Sequence, residues 1–443
     1  MKPAIILGAL LGALGWTDTL VAQPPSGATE MPRERDYSYI YDMLDHSLVR
    51  PFTRVFDPAL LLRKVVGRPR QAANVGENDQ VRLPSTWWQP RIGFRPVTVE
   101  QMMKGPGSSA GPAPGKWTVT KAKTQGVTPG FQIEDSKGDR FIIKFDPTTF
   151  PELTTSVDVI GSHLFWAAGY NVPHNTIATF KAEDLALDKD ATFTDALGKK
   201  QPMTPEYLTQ LLDRVARLRD GTYRCLASRF ISGKPLGPFE YYGRRNDDPE
   251  DLIPHELRRE LRGLWTVCAF LNHADSRGPN SLDMWVTENG RSFVRHHLID
   301  FGSILGSSAI GPRSYVTGTE YYVDFNVIGQ QAATIGLRPF DWERVVDPKI
   351  ASIGFVEGRV FDPAGWRPDY ANPAFDERTE RDIRWGAKIV AGFTDEHIRA
   401  AVKAGSYSDL RASEYLTQVL IQRRDKLVRH WLGPDYRVPY DTR

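Results

Sequence analysis

The chemistry-bearing side chains of this 443-residue chain gather in one stretch: His273-Ala274-Asp275-Ser276-Arg277-Gly278-Pro279-Asn280, then a predicted hairpin, then Asp300-Phe301-Gly302. Its functional groups are two carboxylates, an amide and a guanidinium. Oxygen donors of this kind suit hard Mg²⁺ or Mn²⁺. Asp300 follows apolar Leu298-Ile299 and precedes Gly302, so its carboxylate can project from a strand end toward such a cation. Phosphoryl transfer needs this chemistry: a carboxylate to take the proton of the attacking hydroxyl, oxygen ligands for magnesium, and cations to balance the γ-phosphate.

The spacing is H-x-D-x-x-x-x-N followed by D-F-G. On it the chain resembles the protein-kinase-like superfamily, as an atypical secreted bacterial kinase-like protein. The resemblance implies Asp275 as catalytic base, Asn280 and Asp300 as metal ligands, and Arg277 in the place where many serine/threonine kinases carry a Lys that meets the γ-phosphate. It implies ATP as donor and Mg²⁺ or Mn²⁺ as cofactor. The likeness covers roughly Gly115 to Leu305, and no A-P-E follows Gly302. That departure fits atypical or small-molecule kinases and leaves the acceptor-binding half unassigned.

The elements that must position these groups can be read upstream. Trp117-Thr118-Val119-Thr120 alternates like a strand, Gly126 to Gly130 is a turn, Phe131-Gln132-Ile133 resumes the strand, and Arg140 to Phe145 forms another. An antiparallel meander is expected. Lys144 stands alone among Phe141, Ile142, Ile143 and Phe145; if buried, its ammonium needs an anion. An edge strand would instead turn it to water. In the kinase resemblance Gly126 and Gly130 belong to the loop covering the phosphates, and Lys144 pairs with the α and β phosphates. From Glu152 to Tyr170, Val157, Ile160, Leu164 and Phe165 recur at helical spacing. The resemblance places here the acid that holds Lys144: Asp158 within the helix, or Glu152 near its start, where favouring the positive helix end is an equal role.

Downstream, Cys225 to Ile231 reads as a strand leading to a hinge, and the charged run Arg244 to Asp251 as the separator of two lobes. His255 to Leu271 carries an apolar helical stripe that delivers the chain to His273, itself expected to pack and bond the loop. Asn289-Gly290 is a strong hairpin signal. His296 and His297 point to opposite strand faces, which makes them poor joint metal ligands, and Asp283 is expected to cap or solvate the hairpin. Helices are expected over 377–391, from a Thr394 cap to Ala404, and over 410–432. Pattern and resemblance together imply an α+β, bilobal protein-kinase-like fold with an antiparallel-sheet N-lobe and a mainly helical C-lobe.

A balance of 56 Lys+Arg against 54 Asp+Glu gives a net charge of +2, so no long-range field favours nucleic acid as a partner. Cys225 and Cys268, the two cysteines, lie in apolar contexts that suit buried thiols and not a disulfide scaffold. Lys2, the apolar run Ala4 to Leu14 and the small residues up to Ala22 read as a signal peptide, too short to span a bilayer. The expected organisation is therefore a signal peptide over 1–22, a partly helical extension over 23–103, an N-lobe over 104–235 and a C-lobe over 236–443. The function expected is an exported kinase, periplasmic or extracellular, moving the γ-phosphate of ATP to a protein or small-molecule hydroxyl, with no stable membrane span after cleavage. Rival readings are a nucleotide-binding pseudokinase or scaffold, a protein nucleotidyltransferase, and a non-catalytic envelope-binding protein.

Overall fold

The computed structural model describes residues 30–35, 42, 44–50, 58 and 69–439, apart from 108–110, 124–128, 196–197 and 338. The signal-peptide reading of 1–22 and the position of Gly126 lie outside the described residues.

Alternation builds the first layer. Strands β1 (Trp117–Ala122), β2 (Gly130–Glu134) and β3 (Arg140–Lys144) form the expected meander, with Val119 opposite Ile133 and Ile133 opposite Phe141. They join β4 (Asn175–Phe180), β5 (Leu185–Thr194), β6 (Lys200–Pro202) and β7 (Tyr223–Arg229) in the order β4-β7-β3-β2-β1-β5-β6. The expectation of an antiparallel sheet needs correction, because β1 pairs with β5 in parallel, Trp117 beside Leu185. The polar segment after Phe180 folds into β5 and β6 and covers the β1 edge, whose N–H and C=O groups would otherwise be open. One sheet face gathers Trp117, Val119, Phe131, Ile133, Phe141 and Ile143 against the helix Pro205–Leu212. The period of two then sends Lys144 to the opposite face from Ile143 and Phe141.

That opposite face meets the helix Leu153–Ala167. Its start is anchored from outside: one Asp146 carboxylate oxygen accepts from the N–H groups of Thr154 (2.8 Å) and Thr155 (2.9 Å). This satisfies two of the orphan donors of the first turn. Apolar Val157, Ile160, Leu164 and Phe165 enter a second, larger hydrophobic cluster.

The second cluster is built from helices Arg259–Leu271, Glu380–Ala391, Asp395–Ala404 and Leu410–Leu432. Gly263 and Gly386 let the first two of these approach closely; a Cβ on Gly386 would stand 2.4 Å from the Gly263 carbonyl oxygen. Arg259–Leu271 ends at Asn272 in the left-handed conformation (φ 48°), a cap that turns the chain into His273. A short sheet follows, β10-β9-β8, from β8 (Lys234–Pro235), β9 (Ser281–Glu288) and β10 (Arg291–Leu298). Its hairpin turns on Asn289 (φ 52°) and Gly290 (φ 76°), the positive-φ pair that a two-residue turn demands.

One charged residue, Asp283, behaves differently from expectation. Arg245 and Asp283 are fully buried and bonded to each other at 2.9 Å, and Asp283 also meets His296 Nδ1 at 2.6 Å. Asp283 therefore does not cap or solvate the hairpin, and within the run Arg244 to Asp251 the side chains of Arg245, Asp248 and Asp251 are buried. Burial of these charges is tolerable because each finds an opposite partner. Residues preceding the sheet clasp the helical part: Trp87 stacks on His296 at 3.5 Å, and Trp88 Nε1 donates to the Ala168 carbonyl at 2.7 Å. Among the described residues, no helix is long and apolar enough to cross a membrane.

Candidate active site

Lys144 is the node. Its Nζ donates to Asp300 Oδ1 at 2.9 Å and to Asp158 Oδ2 at 3.3 Å. Burial works against the ammonium, yet the two carboxylates hold its pKa above the ordinary lysine value. Of the two candidate acids, Asp158 faces Lys144; Glu152 turns away, and its Oε2 accepts from Ser408 N–H at 2.9 Å. Asp158 is only 2% exposed, and its Oδ1 also accepts from Asn175 Nδ2 (2.7 Å) and Phe301 N–H (3.2 Å). Burial pushes its carboxyl up, while Lys144 pulls it down.

Asp300 is the open side of this pair. The Lys144 ammonium holds its carboxyl below the usual carboxylate range, although 54% of its side chain faces solvent. Its backbone lies in the left-handed region at φ 60°, ψ 65°, which a non-glycine residue rarely occupies. The sharp turn is therefore made at Asp300 itself, ahead of Gly302. Fully buried Phe301 fixes the turn: its ring stacks on Phe165 at 4.9 Å, and Gly161 leaves no room for a Cβ beside it.

The preceding loop forms a second group. Asn280 Nδ2 donates to the backbone carbonyl of Asp275 at 2.7 Å, closing the loop on itself. Ile299 N–H donates to the Asn280 carbonyl at 3.0 Å, tying this loop to the strand end that carries Asp300. Arg277 Nε donates to Asp275 Oδ1 at 2.8 Å, and its Nη1 to Asp42 Oδ2 at 2.8 Å. Arg277, to which the resemblance gives a γ-phosphate role, thus lies against two carboxylates. The guanidinium is buried and committed to two carboxylates, so it orients Asp275. Burial lowers the His273 pKa to about 4, so the ring is neutral near neutral pH and packs edge-on against Phe165 and Phe301.

Gly130 pairs with Lys144 across β2 and β3, and a Cβ there would stand 2.2 Å from the Ile143 carbonyl oxygen. Its visible role is close strand approach beside the lysine. Sequence reasoning missed Lys123, just past β1, whose N–H donates to the Gly130 carbonyl at 2.9 Å. Burial, then the Lys144 ammonium, pull its pKa down to about 8, against Asp300 and Asp158. A lone Lys after a strand carries no signal until pairing across Gly130 brings it to Lys144. Also missed were Arg313 and Asp369, ion-paired to each other, with Asp369 N–H donating to the Ala274 carbonyl at 2.9 Å. They bind the segment after Gly302 back onto the loop that carries Asp275.

No protein-family model matches the chain, and no curated protein matches it. Among solved structures it is similar to the crystal structure of a Helicobacter pylori proinflammatory kinase, CtkA, at 11% identity and a TM-score of 0.38, covering 72% of this chain and 99% of that one.

Proposed function

We propose that the chain is an exported, ATP-dependent phosphotransferase of the atypical kinase-like kind, with the sheet and helical parts as its two lobes and the Lys144 site between them. One observation carries the reading: a strand lysine is held between a buried helix carboxylate and a half-exposed carboxylate on a left-handed turn. Backbone strain and carboxylates of unequal exposure around one ammonium are features that ligand-handling sites often show.

The residues present fit a hard cation. Asp300 offers a half-exposed carboxylate, and the Asn280 amide, with Nδ2 spent on the Asp275 carbonyl, has Oδ1 as its acceptor. When bound, Mg²⁺ or Mn²⁺ would neutralise phosphate charge. Lys144, with Lys123 beside it, would take the nucleotide phosphates, and Asp158 would keep Lys144 in place when Asp300 turns to the metal. Asp275 would accept the proton of the acceptor hydroxyl at Oδ2, because Arg277 occupies Oδ1 and fixes the carboxylate plane. The export reading rests on residues 1–22 of the sequence.

The test uses the protein without its first 22 residues, Mn²⁺ or Mg²⁺, and ATP labelled at the α or the γ position. Transfer of γ label that requires Asp300 supports the proposal. Transfer of α label would make it a nucleotidyltransferase, and nucleotide binding without transfer a pseudokinase. Absence of Asp300-dependent nucleotide binding would remove the enzymatic reading.

A further inference from the structure

The region before the sheet reaches the loop of Asp275 through Asp42, which meets Arg277. Asp42 and His46 lie four residues apart, one helical turn, and are 5% and 3% exposed. Asp42 divides its carboxylate between two neighbours. Oδ2 accepts from Arg277 Nη1 at 2.8 Å, and Oδ1 lies 3.4 Å from His46 Nε2. The other imidazole nitrogen, Nδ1, stands 2.7 Å from the Ala371 carbonyl oxygen. A carbonyl can only accept, so Nδ1 carries a proton and Nε2 is the atom turned to Asp42. Glu240 completes the group: one ligand atom from each of the three residues lies within 4.8 Å of the other two.

We propose that Asp42, His46 and Glu240 bind a divalent transition cation of the zinc class and so tie the N-terminal extension to the catalytic loop. The donor set is one imidazole nitrogen and two carboxylate oxygens, which suits zinc better than the all-oxygen cages of calcium or magnesium. Two ligands about 2.1 Å from a tetrahedral zinc stand about 3.4 Å apart, and that is the His46–Asp42 separation. Glu240 is only partly buried, so its side chain has room to close the remaining gap, with water in the fourth position. The Nδ1 bond to Ala371 is the outer hydrogen bond that ligating histidines generally make. Two carboxylates face each other here; Arg277, which meets Asp42, is also shared with Asp275, and Arg50 and Arg35 act on Glu240.

The site is independent of the phosphotransferase reading, and its test needs no nucleotide. Tag-free protein is stripped with chelator and titrated with Co²⁺, whose visible absorption reports tetrahedral N/O coordination. The expected result is saturation at one equivalent, displacement by Zn²⁺, and at least tenfold weaker binding in both His46→Gln and Glu240→Gln. Asp300→Asn is expected to leave the signal intact, which separates this site from any nucleotide-associated metal. Glu240→Gln alters a partly exposed side chain, so the outcome can be read even where His46→Gln fails to fold. No absorption within one equivalent, a signal that survives Glu240→Gln, or one lost in Asp300→Asn would overturn the proposal.

Discussion

Lys144→Met removes a side chain that bonds to both Asp158 and Asp300. Unit charges at the 3.3 Å Lys144–Asp158 separation attract by about 5 kcal/mol before desolvation, in an effective dielectric of about 20. Truncating one partner of such a buried pair costs about 3–5 kcal/mol, because the other charge is stranded. Asp158 keeps its bonds from Asn175 and Phe301, and burial already favours its protonated form, so proton uptake relieves part of the penalty. The lower bound, about 3 kcal/mol, is therefore expected. The Asp300 arm adds little, since its side chain is 54% exposed and screened by water. In an Asp158→Asn background no buried charge is stranded, and the same substitution should cost about 1 kcal/mol. The coupling energy is then about 2 kcal/mol. Urea denaturation of the four proteins, followed by tryptophan fluorescence without nucleotide, measures it. A carboxyl whose folded pKa lies above its unfolded one stabilises at low pH and loses that contribution as pH rises through the folded value. The Lys144→Met penalty should therefore be smaller at about pH 5 than at about pH 8. Additivity within about 0.5 kcal/mol, or a penalty that grows on acidification, would refute the ion pair as the lysine's anchor.

Two further outcomes follow from residues beside Lys144. The Lys123 ammonium, with its pKa near about 8, is charged below that pH and neutral above it, so nucleotide affinity should fall as pH rises through that value. Calorimetric titration across pH should show the dependence in the native protein and a flattened profile in Lys123→Met; equal profiles would exclude Lys123 from the phosphate site. Gly130→Ala forces a Cβ to within 2.2 Å of the Ile143 carbonyl oxygen and should cost about 1–3 kcal/mol of stability in the absence of nucleotide. Unchanged stability with weakened nucleotide binding would return Gly130 to a phosphate-loop role.

Local signals in the chain were strong where one residue type leaves few conformational choices. Asn289-Gly290 placed the hairpin, and Thr394 and the apolar spacing after Leu410 placed helices that run Asp395–Ala404 and Leu410–Leu432. Lys144 could be singled out because an ammonium is anomalous in an apolar strand, and strand alternation then explains why it faces the carboxylates and not the aromatic cluster. What stayed hidden depends on contacts between residues distant in sequence. The parallel β1–β5 pairing, the Arg245–Asp283 bond and the Asp42–Arg277 bond each join segments far apart in the chain, and no local pattern announces the partner. Arg277 was singled out by its place in the motif, which says nothing of the Asp42 and Asp275 carboxylates that it meets. The left-handed turn at Asp300 was equally hidden, because it is imposed by the packing of Phe301 and not by a glycine.

The central claim, that Asp300 serves nucleotide and metal while Asp275 serves the chemistry, is tested most directly by single-turnover γ-phosphate transfer in the native protein, Asp275→Asn and Asp300→Asn, with ATP affinity measured alongside. The account predicts a metal-dependent transfer that falls about 10²–10⁴-fold in Asp275→Asn with ATP affinity within about threefold of native. In Asp300→Asn, both the metal dependence of ATP binding and the transfer should be lost. Native protein that binds no ATP with Mg²⁺ or Mn²⁺, or transfer that survives Asp300→Asn, would contradict it.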